Sequence, residues 1–333
     1  MTEPIRRKRW KFLFVVFLTM LALAGGAAFS QRTALQSWYY AYRLERAPET
    51  ERQAWADKMV GMGEPAAPRL LGCFRKDDTG LCKIARIGLE KLLEEWGPKD
   101  ERSKLLGDRF FEEHGSFSPV GQVAALQLLP DLLPAGGVEG EAKARIVVAA
   151  ALKSHSSELR FQGIKLAARA ELNLLPTLLP LLDDPEADVR GAAMLALGPI
   201  REGGAGAEKP LISDDDLLRF LHDPDPEVRR ICEMSLRSRG LRERDVRLGK
   251  MLVNPDPMDR LQLLIDLPGE EEIGLARWLQ RLSNDPDSAV RAGAARVAAE
   301  RHVDFAERLE QMMREDPDST VRKIAEHYRK LYR

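Results

Sequence analysis

The five histidines, His114, His155, His222, His302 and His327, are the residues of this chain best suited to acid–base work or metal ligation. No HExxH pairs two of them on one helix face, and none is directly followed by a glutamate. FEEHG at 111–115 offers Glu112, Glu113 and His114, two carboxylates and an imidazole. A metal there would need ligands from elsewhere in the chain, and the stretch reads as a charged helix end before GSFSP. The three cysteines, Cys73, Cys82 and Cys232, form no CxxC pair and cannot build a disulfide framework. Cys73 and Cys82 could bridge adjacent helices, but two buried free thiols is the reading favoured. REGGAGAEKP at 201–210 is glycine-rich but lacks the phosphate-loop lysine, and no strand precedes it. It reads as a surface loop. No catalytic, cofactor-binding or metal-ligating residue is assigned, no cofactor is expected, and the chain is read as a non-enzyme.

The residues that do recur at fixed spacing are aspartate, proline and arginine. HDPDPEVRR at 222–230 returns as VNPDPMDR, NDPDSAVR and EDPDSTVR. Pro224, Pro255, Pro286 and Pro317 stand 31 positions apart, and so do Arg229, Arg260, Arg291 and Arg322. Asp223, Asn254, Asp285 and Asp316 keep the same step. Four units in one register mark a repeat architecture.

Each unit reads as two short helices. Leucines at helical spacing, as in GLARWLQRL, supply the first, and the Asp-Pro step ends it, because proline lacks an N–H and restricts the residue before it. The next aspartate stands at the N-cap of a second helix, with Pro226 or Pro257 at its first position. Small residues in that helix, as in AVRAGAARVAAE, allow close approach. One hairpin cannot bury its apolar stripe alone, and stacked hairpins can.

This pattern resembles the HEAT repeat, and specifically the short HEAT-like repeats also found in phycobilisome lyases. The residues that carry the resemblance are Asp184, Pro185, Val189, Arg190, Ala193 and Leu197, then Asp223, Pro224, Val228 and Arg229, then the units of Arg291 and Arg322. The unit at 254–267 keeps Pro255 and Arg260 but has Asp259 where valine is expected. The resemblance covers 45–333, is strong from 174 onward and is loose before 145. It implies an all-α solenoid of stacked helix-turn-helix repeats, interrupted by an insertion at 201–210. It also implies that the arginine near the start of each second helix reaches the Asp-bearing turn of a neighbouring unit. The ladder so expected consists of Asp184, Arg190, Asp223, Arg229, Arg260, Asp285, Arg291, Asp316 and Arg322. A charged hydrogen bond is worth roughly 1.5–3 kcal/mol, and Arg291→Leu is expected to lower stability by that much. Deoxyhypusine hydroxylase, another HEAT-like family, holds di-iron with repeated His-Glu pairs, which this chain lacks.

The N-terminus differs in kind. Residues 1–11 carry Arg6, Arg7, Lys8, Arg9 and Lys11 against Glu3, and 12–30 carry no charge. Two readings stand: an uncleaved signal anchor, which the length of the apolar run favours, or a cleaved signal peptide. By the positive-inside rule, 1–11 stays cytoplasmic and the bulk of the chain lies outside the cytoplasm, as a single-pass membrane protein or, if cleaved, as a secreted one. A helix over 31–44 would place Leu35, Trp38, Tyr39 and Tyr42 on one face, either as an interfacial belt or, preferred, packed on the first repeat. With the N-terminal basic cluster set aside, the rest of the chain is mildly acidic, so no general attraction for nucleic acid is expected. The basic stretch 237–250 reads as a solvated helix junction.

These features point to a membrane-tethered, extracytoplasmic scaffold that binds a protein or peptide through the second helices. The outward positions Arg230, Glu233, Arg237, Arg296 and Glu300 are the candidate contact residues, because Val228, Ile231, Val290 and Val297 take the inward ones. The alternatives are an enzyme like the phycobilin lyases and a purely structural cell-envelope protein.

Overall fold

The computed structural model describes residues 32–198, 210–269 and 274–331. Among them every regular element is helical and no strand occurs. The chain divides into two compact units, Met1–Thr177 and Leu178–Arg333.

The first unit holds α1 (Arg32–Arg46), α2 (Glu49–Val60), α3 (Ala67–Gly72), α4 (Thr79–Trp96), α5 (Glu101–Glu113), α6 (Pro119–Ala151) and α7 (Ser157–Ala167). Local chemistry sets the helix starts. Asp78 accepts from Leu81 N at 2.9 Å, Asp100 from Arg102 N at 2.9 Å, and Ser118 from Gly121 N at 3.0 Å. Each satisfies an amide that a helix start leaves without a partner. Met59, Leu70, Phe74, Leu89, Phe110 and Leu128 are fully buried and form its core. A buried side chain of that size contributes about 1.5–3 kcal/mol.

α1 packs differently from the expectation. Its buried residues are Ser37, Ala41 and Leu44, while Trp38 is 52% exposed and Tyr42 41%. The small and aliphatic residues of the helix are the ones covered, and the aromatic face stays partly open. The aromatics are left partly exposed, and some of them reach α2. Trp38 stacks on Tyr42 at 5.6 Å, and Tyr39 meets Trp55 edge-on at 6.2 Å. Cations cover two of these rings: Arg46 over Tyr42 at 3.9 Å and Lys58 over Trp55 at 4.0 Å.

The single-pass membrane location expected from the sequence is corrected. Among the described residues no helix is long and apolar enough to cross a membrane. The longest, α6, has 33 residues, but it kinks at Gly137 (φ 53°) and holds Pro130 and Pro134. It also carries Asp131, Glu139, Glu141, Lys143 and Arg145, charges that a bilayer core would penalise. The segment 12–30, on which the anchor was read, and the basic stretch 1–11 lie outside the described residues.

The second unit holds α8 (Ala187–Leu197), α9 (Asp214–Leu218), α10 (Pro226–Ser238), α11 (Glu243–Leu252), α12 (Pro257–Asp266), α13 (Leu275–Leu282), α14 (Ser288–Glu300), α15 (Ala306–Glu315) and α16 (Ser319–Leu331). These alternate as first and second helices of hairpins. The first helices α9, α11, α13 and α15 precede the second helices α10, α12, α14 and α16, and α8 is a second helix by register. Asp225, Asp256, Asp287 and Asp318 cap the second helices: each accepts from the amide two residues on, at 2.7–2.8 Å. The core between hairpins contains Leu263, Leu279, Val290, Ala294, Leu309 and Val321, all 1% exposed or less. Second helices pack on one another for α8 with α10, α12 with α14 and α14 with α16, but α10 and α12 meet only marginally. Of the insertion at 201–210, only Pro210 is among the described residues.

Candidate interaction surface

Arg190, Arg260 and Arg291 bind in two directions at once. Nη1 of Arg190 donates to the carbonyls of Asp184 and Pro185 at 2.8 and 3.0 Å, within its own turn. Its Nε and Nη2 grip the Asp223 carboxylate of the next unit at 2.9 and 2.8 Å. Arg260 repeats this with Asp285 at 2.7 and 2.9 Å, and Arg291 with Asp316 at 2.8 and 2.9 Å. Planar guanidinium and carboxylate groups make such paired bonds geometrically specific. Arg260, Asp285, Arg291 and Asp316 are 7–8% exposed. Each aspartate also accepts from the amide two residues on, as Asp316 does from Asp318 N at 2.9 Å, which fixes the Asp-Pro turn.

Two arginines have no such carboxylate. Arg229 donates to the carbonyls of Asp223 and Pro224 at 2.7 and 3.1 Å, but the residue in register ahead of it is Asn254. Arg322 makes the same carbonyl bonds to Asp316 and Pro317 at 2.6 and 3.1 Å, and neither arginine makes an ion pair among the described residues.

The Arg291 guanidinium holds the Asp316 carboxyl below the usual carboxylate range, against the opposing effect of burial. Burial pushes Asp223 upward, but the Arg190 guanidinium and the Asp225 amide outweigh it, and the net shift is downward.

The five outward candidates divide between two places. Arg230, Glu233 and Arg237 lie on α10. Arg230 pairs with Glu227, and Arg237 with Glu233 at 3.4 Å and with Glu243 at 2.8 Å. Arg296 and Glu300 lie on α14 at 3.8 Å from each other. Val228, Ile231, Val290 and Val297 are buried. Sequence reading missed the groove beside Arg296. It lies between α14 and α16, has a volume of about 690 Å³, and is floored by Ala289, Ala292, Gly293 and Ile324. The signal was present as small residues at 289, 292 and 293, where α10 has Glu227, Arg230 and Ile231.

The other sequence features resolve structurally. In the basic stretch 237–250 the Arg239 side chain is fully buried and bonds Asp214 and the carbonyls of Gly198, Leu197 and Ile212. Arg242 and Arg244 lie against Asp245 at 3.5 and 3.9 Å. His114 sits among Phe110 and Phe117, ring centroids 5.8 and 5.7 Å away, and burial lowers its pKa. Among the described residues, no group of three or more His, Cys, Asp or Glu is placed to hold a metal ion. Cys73, Cys82 and Cys232 are buried free thiols, and burial pushes Cys73 and Cys232 up to about 12.

A HEAT-like repeat family model matches residues 147–200. That stretch carries a HEAT-like repeat. The match supports the HEAT-repeat family and does not extend to the phycobilisome-lyase-like type expected from the repeat length. No curated protein matches the chain. HEAT-like repeats suggest a protein-interaction scaffold.

Proposed function

We propose that this chain is a non-enzymatic scaffold that binds a protein or peptide along the second helices of its HEAT-like repeats. The observation that carries this reading is the division of labour on those helices. One side is consumed by buried valines and by the arginine–aspartate pairs. The other presents exposed charged side chains, Arg230 and Arg237 on α10 and Arg296 and Glu300 on α14, and Arg296 stands beside an open groove. Stacked repeats use such a row as an extended binding face.

The test is capture by the immobilised full chain, compared with a variant carrying Arg230→Glu, Glu233→Arg, Arg237→Glu, Arg296→Glu and Glu300→Arg. These positions are exposed or half-exposed, so the variant is expected to melt like the wild type. Proteins retained by the wild type and lost with the variant support the reading. An identical set of retained proteins contradicts it.

A further inference from the structure

We propose that the groove between α14 and α16 binds an acidic peptide segment, seating an apolar side chain on its floor while carboxylates flank it. This deepens the scaffold reading and rests on it. The groove exists because of three residues. In register, Ala289, Ala292 and Gly293 of α14 correspond to Met258, Leu261 and Gln262 of α12. The loss of side-chain volume hollows the surface above buried Val290 and leaves about 690 Å³, within the range of about 300–1,000 Å³ typical of ligand sites. Gly293 cannot carry a larger side chain freely, because a Cβ there would stand 2.7 Å from Leu264 Cδ1. The floor is therefore set by packing beneath it, not only by what lies above.

The rim gives the occupant its charge. Arg296 is exposed and only loosely paired, with Glu300 at 3.8 Å. Lys323 is exposed and makes no ion pair among the described residues. The one acid in the lining, Asp318, is already engaged: its carboxylate accepts from Thr320 N at 2.7 Å and Val321 N at 3.2 Å. The apolar wall of Ile324 and Tyr328 would shield a seated side chain from water. A cationic segment would meet Arg296 and Lys323, with Asp318 as the one acid of the lining.

The probes are two dye-labelled peptides with the same central leucines, one flanked by glutamates and the other by lysines, titrated against the full chain by anisotropy. The glutamate peptide is expected to bind saturably and the lysine peptide about tenfold more weakly or worse, since two exposed charge contacts and their reversal amount to roughly 1.4 kcal/mol. Arg296→Glu with Lys323→Glu should invert that preference. Ala292→Trp should abolish binding of both by filling the groove. If Ala292→Trp fails to fold in a thermal melt, the charge reversal still decides. Equal affinity for the two peptides, no binding by either, or a preference unmoved by the charge reversal overturns the proposal. If this fails while proteins captured through Arg230, Glu233 and Arg237 are still lost on their substitution, the scaffold reading stands without the groove.

Discussion

Asn254 donates from Nδ2 to Oδ2 of Asp259 at 2.6 Å. Within the Asp-Pro turn and the Val-Arg step these are the two positions at which the unit departs from its neighbours, and the hydrogen bond joins them. Asn254 replaces the aspartate that would accept from Arg229. Asp259 replaces a valine that is buried at positions 189, 228, 290 and 321, and it is itself exposed. The row of second helices loosens at the same place, between α10 and α12. The paired substitution Asn254→Asp/Asp259→Val should therefore supply the missing rung and raise Tm by about 2–4 °C per kcal/mol gained, for a charged hydrogen bond of roughly 1.5 kcal/mol. Asn254→Asp alone should gain less, because its new carboxylate faces Asp259. A double variant that melts at or below the wild type would contradict this account of the seam.

The arginines should differ in importance according to what they grip. Arg291→Leu leaves Asp316 buried and unpaired, and losing one partner of a buried pair costs about 3–5 kcal/mol. That exceeds the cost expected from the sequence alone, which could not show the burial. Arg229→Leu removes bonds to two carbonyls only and should cost about 1.5 kcal/mol. Denaturant melts of the two variants check the order, and an equal loss would mean the carboxylate grip adds nothing.

How far the sequence reveals this fold depends on where the physics is local. The Asp-Pro turn, the capping aspartates and the 31-residue step are properties of short segments, so Asp285, Asp287 and Arg291 can be placed on a turn, a cap and a second helix by inspection. The α1 face is not local in that sense. Its periodicity finds Trp38 and Tyr42, but whether that face or the Ser37–Ala41–Leu44 face is buried depends on the helices packed around it. The groove is likewise invisible until Ala292 of one repeat is set beside Ile324 of the next. Asp259 could be seen as an exception, but its partner could not.

Acid should weaken the second unit by way of the ladder. The Asp223 and Asp316 carboxyls titrate below their ordinary value in the folded protein. The unfolded chain therefore takes up their protons first as pH falls, near the usual carboxylate pKa of about 3.9. Their stabilising contribution is complete above that pH and is lost as pH drops through the lower folded-state values. Thermal melts from pH 6 down to pH 2 should show a decline beginning near pH 4, and Asp316→Asn should make that decline shallower. A steeper decline in the variant would reverse the assigned sign.

In the first unit, the start of α6 rests directly on the backbone of Phe74. Phe74 O accepts from Ser118 N at 3.0 Å, and a Cβ on Gly121 would stand 1.7 Å from that oxygen. Gly121→Ala should force the helix away and cost about 3 kcal/mol. Gly107→Ala, inside α5 with nothing within 4 Å of its added Cβ, should be neutral or stabilising by up to about 1 kcal/mol. Matching losses at the two sites, read by urea unfolding, would remove the close approach as an explanation.

The central claim is that consecutive repeats are tied by arginine gripping the next aspartate, and a double-mutant cycle on Arg291 and Asp316 tests it most directly. Arg291→Leu, Asp316→Leu and the double variant are compared with the wild type by denaturant unfolding. The structure predicts a coupling energy of about 1.5 kcal/mol or more between the two positions, with the double variant more stable than the sum of the single losses would allow. Losses that add to within about 0.3–0.5 kcal/mol would contradict it.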